Sequence, residues 1–451
     1  MIPLRPTINL YYDKIVDDTP IPNGVSSYEF SKDIYRIPFA SNRHGPVNRV
    51  TALYNVMKAL EVPRVNVYSG KTRANNLFYP LELAPGTSWD VNFCELIPQK
   101  TIGRIKKGQM KLLIFAPRIG HNYQILWKLR QRLDYLSTVG ITKEMIYIVL
   151  GDLNRVYRKL FDNENVYGID WWQIYTQICY KSRYGYEDWD WVLREYSGVK
   201  RTKEEIQKEQ FDIEKWNPKR IFTSLSGNTA LHNTTLISEI IYRDLDQCNV
   251  YSYNLQGYAN EKDYTDFRVT DKTRSAEYKE EKQKIIKALA SVKKKIDYDQ
   301  KDLHQDPLKI DTSIFENSLI NIVSGSYTPM FDKHYLDEIS TLAPGVGIWR
   351  QIAKGHPFIS LGCLNTMRHV SNEGYFLPTL ITNHHYDKIA DTPKKVSMIC
   401  DNLQALSNLT ENEIKNKVDE LIPFMKKNVE KFFTKPNKRK FEKLFSEMAY
   451  E

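Results

Sequence analysis

Residues 111–150 place the tightest limit on what this chain can fold into. Lys111-Leu112-Leu113-Ile114-Phe115-Ala116 is a short apolar run, and Met145-Ile146-Tyr147-Ile148-Val149-Leu150 is a second. Runs of this length without polar alternation suit strands covered on both faces. Between them, Ile125, Leu126, Leu129, Leu133 and Leu136 recur at helical spacing, and Gly140 stops the pattern. Strand, helix and strand in that order predict parallel neighbours joined by a right-handed crossover.

The same order returns after residue 219. Arg220-Ile221-Phe222-Thr223-Ser224-Leu225 predicts a strand, and Leu236, Ile237, Ile240 and Ile241 mark one face of a helix over 233–245. Val250-Tyr251-Ser252-Tyr253 and Ile320-Asn321-Ile322-Val323-Ser324 follow as strands. The segment 347–353 predicts a short helix, Gly355-His356-Pro357 a turn, and Phe358-Ile359-Ser360-Leu361 a strand. Helices are then expected over 364–373, 394–406 and 411–433; the last is long enough to cross back over a neighbouring domain. With 451 residues the chain can bury two ordinary cores. The polar stretch 200–215, with Pro218 after it, marks the expected junction. The domains expected are 1–205, a linker at 206–218, 219–410, and a helical segment at 411–451.

Five scattered cysteines, none in a C-x-x-C pair, argue for a reducing compartment and against a disulfide framework or zinc site. No apolar run approaches membrane-spanning length and no signal-type apolar segment opens the chain, so a cytoplasmic protein without a membrane span is expected. The 29 tyrosines, with many Lys, Asn and Ile, are the coding habit of an AT-rich genome, such as a phage, another virus or a low-GC bacterium. A net charge of +9 permits binding to a polyanion without demanding it. The charged segment 277–295 reads as an amphipathic helix with a solvated face, and the aromatic cluster over 171–199 as core or a lid, with sugar or base stacking as the alternative. Asp-x-Asp pairs occur at Asp188 and Asp190, Asp244 and Asp246, and Asp297 and Asp299, none after a clear apolar strand, so no metal is expected.

The block Trp349-Arg350-Gln351-Ile352-Ala353-Lys354-Gly355-His356-Pro357-Phe358-Ile359-Ser360-Leu361-Gly362 resembles the donor-domain signature of fucosyltransferase- and exostosin-like GT-B glycosyltransferases, of a type common in phage genomes. Leu364-Asn365-Thr366-Met367-Arg368-His369, Glu373-Gly374-Tyr375-Phe376 and Tyr386-Asp387-Lys388-Ile389 continue it in order, and Pro307-Leu308-Lys309-Ile310-Asp311 precedes it. The resemblance covers about residues 219–433. It implies a GT-B-like α/β fold: two Rossmann-like domains facing a cleft, with a C-terminal helix crossing between them. It further implies a nucleotide-sugar donor as substrate, with no bound cofactor.

Such a donor leaves as a diphosphate, which cationic side chains and helix N-termini must neutralise. The residues expected at the donor are His232, Asp311, Ser326, Gly345, Gly347, Arg350, Lys354 and His356, with Arg350 the expected diphosphate contact. His121 and Asp152, after two strands of the N-terminal half, are the expected catalytic groups on the acceptor side, His121 as base. The chain departs from the family in three places. Gly227 and Asn233 stand where arginines are expected, Gly345-Val346-Gly347 where Glu and Lys are expected, and Ser324-Gly325-Ser326 where a Glu is common. Two expectations follow. One is an active transferase whose acceptor is modified viral DNA, a glycan or a protein. The other is a catalytically degenerate fold serving as a binding or structural partner of another protein.

Overall fold

A computed structural model describes residues 8–12, 65–69, 76–82, 97–116, 123–151, 161–170, 212–225, 231–245, 250–252, 315–324 and 345–434, with isolated positions between them. Its strands form two sheets, and every pairing in both is parallel. The first sheet contains β1 (Ile8–Tyr12), β2 (Val65–Ser69), β3 (Leu77–Glu82), β4 (Met110–Ala116), β5 (Ile146–Leu150) and β6 (Val166–Gly168), in the order β2-β1-β3-β4-β5-β6. Helices α1 (Gln99–Lys106) and α2 (Tyr123–Thr138) lie on one of its faces. Leu112 and Ile114 of β4 and Ile146 and Ile148 of β5 pack there with Ile102, Ile105, Leu129 and Leu136 of the helices. On the opposite face Leu113, Phe115, Tyr147 and Val149 are equally buried. Burial on both faces explains why these strands read as unbroken apolar runs.

The second sheet contains β7 (Arg220–Leu225), β8 (Val250–Ser252), β9 (Ser318–Ser324) and β10 (Phe358–Leu361), in the order β10-β9-β7-β8. Five helices accompany it among the described residues: α3 (Leu231–Tyr242), α4 (Val346–Lys354), α5 (Thr366–Asn372), α6 (Thr392–Ser407) and α7 (Glu411–Thr434). Just past α3, Arg243 joins that helix to α6 through Asp401 Oδ1 at 2.6 Å and Ser397 Oγ at 2.8 Å. In the other direction, α4 meets Val323 of β9 and carries α7 on its back. Asp391 caps α6 by accepting the Lys394 N–H at 2.8 Å. Gly355 ends α4 in the left-handed region, φ 71°, with the His356 N–H closing on the Gln351 carbonyl at 3.0 Å. That closure turns the chain sharply into β10.

Two parts of the expected organisation fall on described residues. Residues 206–218 were expected to form a linker, yet Trp216 is buried in the second core, and its indole donates to the Ser318 carbonyl at 2.9 Å. The second unit therefore begins several residues before 219. The last helix was expected to cross between the two halves. Its apolar stripe, Val418, Leu421, Met425 and Phe432, lies in the second core, against α4, and the chain after 434 lies outside the described residues. No described helix is long and apolar enough to cross a membrane.

Candidate functional site

Strand order locates the site. From β7 the chain runs to β8 on one side and then passes back to β9 on the other. Connections that part in this way leave a crevice beyond the carboxyl ends of the two diverging strands, the usual ligand position in open parallel sheets. Here those ends are Leu225 and Ser324.

Three elements converge there. His232 and Asn233 lie in the first turn of α3, both buried. The Ser324 hydroxyl donates to Asn233 Oδ1, which ties the end of β9 to the start of α3. On the other side α4 follows Gly345, an N-cap residue with no side chain to cap it, and its first turn has no acid. The positive end of the helix dipole therefore faces the carboxyl end of the sheet. One strand over, the Ser224 hydroxyl is fully buried with no hydrogen-bond partner; its register partner is Ile322, so it shares a strand face with Ser324.

Gly347 is what lets α4 approach. A Cβ at this position would fall 2.6 Å from Val323 Cγ1, closer than carbon atoms can pack. Gly347→Ala is therefore expected to cost about 1–3 kcal/mol through overpacking, seen as a lower urea midpoint at unchanged m-value. Adding Val323→Ala should recover part of that loss; equal midpoints for the single and double variants would dismiss the contact as its cause.

The eight residues expected at a donor do not gather in one place. His232, Gly345 and Gly347 do, at the carboxyl end of the second sheet. Arg350 is half-buried about one turn further along α4. Lys354 and His356 are taken out of the site. They lie at the far end of the helix, about 10 Å on at 1.5 Å per residue, beside the start of β9. There the Lys354 ammonium sits 4.2 Å over the Phe315 ring. His356 is 1% exposed, and its Nε2 lies 3.0 Å from the carbonyls of both Phe315 and Ser318. Two carbonyl acceptors require that nitrogen to carry the proton and donate. Burial among Trp216 and Phe315 pushes the imidazole down to about 4, so it is neutral near pH 7 and holds the backbone together. His121, Asp152, Asp311 and Ser326 lie outside the described residues, as do the aromatic side chains of the cluster at 171–199 and the charged segment 277–295.

A buried cluster absent from the sequence reading stands beside α4. Asp170, just after β6, accepts the Trp349 indole N–H at 3.1 Å and the Gln173 backbone N–H at 3.0 Å on Oδ1. Its Oδ2 meets His369 Nε2 at 3.1 Å. Gln173 Nε2 donates to the Tyr375 hydroxyl at 3.3 Å. A carboxylate trailing the first sheet is thus fastened to α4 and α5 of the second unit. Only local signals are visible in a sequence, and nothing near Asp170 distinguishes it from other acids.

A second buried pair belongs to the β10–α5 turn. The Lys395 ammonium donates to the Gly362 carbonyl at 2.9 Å, and its pKa is lowered by burial. Asp387 accepts the Arg368 N–H at 3.1 Å, and burial raises its carboxyl. Both groups are turned into the protein, where they support the turn. Among the described residues no group of three or more His, Cys, Asp and Glu is arranged to hold a metal ion. No family model matches the chain, and neither a curated protein nor a solved structure does so.

Proposed function

We propose that this chain is a glycosyltransferase of the GT-B type, taking the diphosphate of a nucleotide sugar at the carboxyl end of the second sheet. One observation carries the reading: the first turns of α3 and α4 both come to the end of β9, through Asn233 on Ser324 and Gly347 against Val323, where β7 and β9 part. Backbone N–H groups at a helix N-terminus bind phosphate without side-chain charge. In this reading the α4 N–H groups replace the cations missing at Gly227 and Asn233, and Arg350 reaches the outer phosphate. The opposing domain of the GT-B pair would supply the acceptor side, with modified viral DNA or a glycan as the acceptor.

A second reading rests on Asn233. At a position where the resembling family carries arginine, this side chain is engaged with Ser324 and closes the strand end instead of reaching outward. A chain that kept the architecture and lost the donor would act as a binding partner of another protein.

Calorimetric titration with uridine and guanosine diphosphate sugars distinguishes the two. A transferase binds one of them at micromolar to millimolar strength, about −4 to −8 kcal/mol, and Arg350→Ala weakens that binding about tenfold, as loss of a charge-assisted hydrogen bond does. Heat absent across the whole panel would end the transferase reading and leave the binding module.

A further inference from the structure

The chain's positive charge is concentrated in one stretch. Residues 96–150 hold ten Lys and Arg (Lys100, Arg104, Lys106, Lys107, Lys111, Arg118, Lys128, Arg130, Arg132 and Lys143) against two acids, Asp134 and Glu144. That net of +8 nearly equals the +9 of all 451 residues. Soluble surfaces ordinarily intersperse the two signs, because like charges crowded together repel.

The fold turns this stretch into a surface. Thr101, Ile102 and Ile105 bury one side of α1. Lys100, Arg104 and Lys107 recur at i, i+4 and i+7 along the other side, which faces out. Helix α2 lies next to α1 on the same sheet face. The two share one core, and the Lys106 side chain rests against Gly140 just past α2. Arg130 and Arg132 of α2 extend the positive surface, and Tyr135, 45% exposed, stands one turn beyond Arg132.

Helix stability does not account for this arrangement. Lys106 and Lys107 suit the negative end of the α1 dipole, but Lys100 lies in the first turn, where a cation is disfavoured and where no acid is present. Intramolecular ion pairing does not account for the lysines of α1 either. Lys100, Lys106 and Lys107 form no ion pair among the described residues. Arg104 is steadied by the Tyr11 ring, 4.8 Å from its guanidinium carbon, which leaves its N–H fork available to an anion.

We infer that the outer face of α1 and α2 is a nucleic-acid docking surface that grips the phosphate backbone. A repeating cationic row with an exposed aromatic beside it matches a phosphodiester chain, and among the described residues Tyr135 is the one large apolar side chain exposed on α1 and α2, which disfavours a lipid surface. The inference deepens the acceptor side of the sugar-transfer reading, for which DNA is one acceptor, but it rests on the cations of α1 and α2 alone, so a chain that takes no nucleotide sugar leaves it standing.

The test measures fluorescence anisotropy of a labelled 20-base-pair DNA duplex and its single strand with the full chain, over a range of salt. Binding should weaken steeply with salt. The triple variant Lys100→Glu, Arg104→Glu, Lys107→Glu should lose about two orders of magnitude in affinity at 0.1 M salt and flatten the log–log slope by about 2–3. The milder Lys100→Gln, Arg104→Gln, Lys107→Gln should show the same trend with an unchanged melting midpoint, which separates lost contacts from lost folding. Lys388→Glu, Lys394→Glu, Lys415→Glu makes the same change in net charge on the other unit and should keep most of the affinity. Equal losses in the two Glu triples, no binding by the parent chain, or binding to phosphatidylserine vesicles in place of DNA would each overturn the inference.

Discussion

Replacing Asp170 with alanine is expected to destabilise the protein by about 3–5 kcal/mol, the range for removing one partner from a buried polar cluster. The carboxylate is only 7% exposed and satisfies three donors or ring nitrogens at once. Without it, the indole N–H of Trp349, a side chain with no solvent exposure, loses its acceptor, and His369 Nε2 loses its partner. Urea denaturation gives the size of the loss. Asp170→Asn preserves the shape and the Oδ1 acceptor, so it should cost less than alanine. Trp349→Phe supplies the cross-check, because it removes the N–H that Asp170→Ala would strand. Combined with Asp170→Ala, it should cost clearly less than the sum of the two single changes. Strict additivity, or a loss below about 1 kcal/mol for Asp170→Ala, would mean that the cluster does not hold the first sheet's trailing segment to α4 and α5.

Mild acid should weaken the fold through His356. Its imidazole titrates near 6.5 when unfolded but is held at about 4 by burial in the native state. Above pH 6.5 both states are neutral and the native hydrogen bonds count in full. As pH falls from 6.5 towards 4, the unfolded chain takes up a proton that the native chain refuses. Stability then drops by up to about 3 kcal/mol, at 1.36 kcal/mol per unit. His384, also lowered to about 4 by burial, adds to the same slope. Asp387 acts in the opposite sense, since its raised carboxyl favours the native state at low pH. His356→Gln removes its own contribution, so its stability between pH 7 and 4.5 should fall by about 2–3 kcal/mol less than that of the parent. Parallel pH profiles for the two proteins would rule out His356 as the origin.

Much of the architecture was legible in the residues. The apolar run at 111–116 is β4, the periodicity after it is α2, and the run at 145–150 is β5 behind a short 3-10 turn. Helices expected over 394–406 and 411–433 appear as Thr392–Ser407 and Glu411–Thr434. Boundaries moved by one or two residues, because caps and closing turns such as Asp391 and Gly355 depend on backbone geometry that hydrophobic spacing does not carry. The candidate site was legible in part. His232 came from the family resemblance and Gly347 from the glycine-rich turn before α4, and both lie at the carboxyl end of the second sheet, whereas Lys354 and His356 were placed with them only by nearness in sequence. A nine-residue helix separates its two ends by about 13 Å at 1.5 Å per residue, so sequence neighbours came to lie at opposite ends of the sheet.

The amino-acid sequence by itself determined the kind of structure, parallel α/β units, because strand and helix periodicities are local and each segment of 5–20 residues expresses its own. It also determined the excess of positive charge at 96–150, which is a matter of counting. The tertiary structure alone decided which residues meet. Asp170 reaches Trp349 and His369 across 179 and 199 positions of chain, and α1 and α2 combine their cations on one face because both cover the same strands. Contacts of that separation arise from the packing of whole elements, and no local pattern records them.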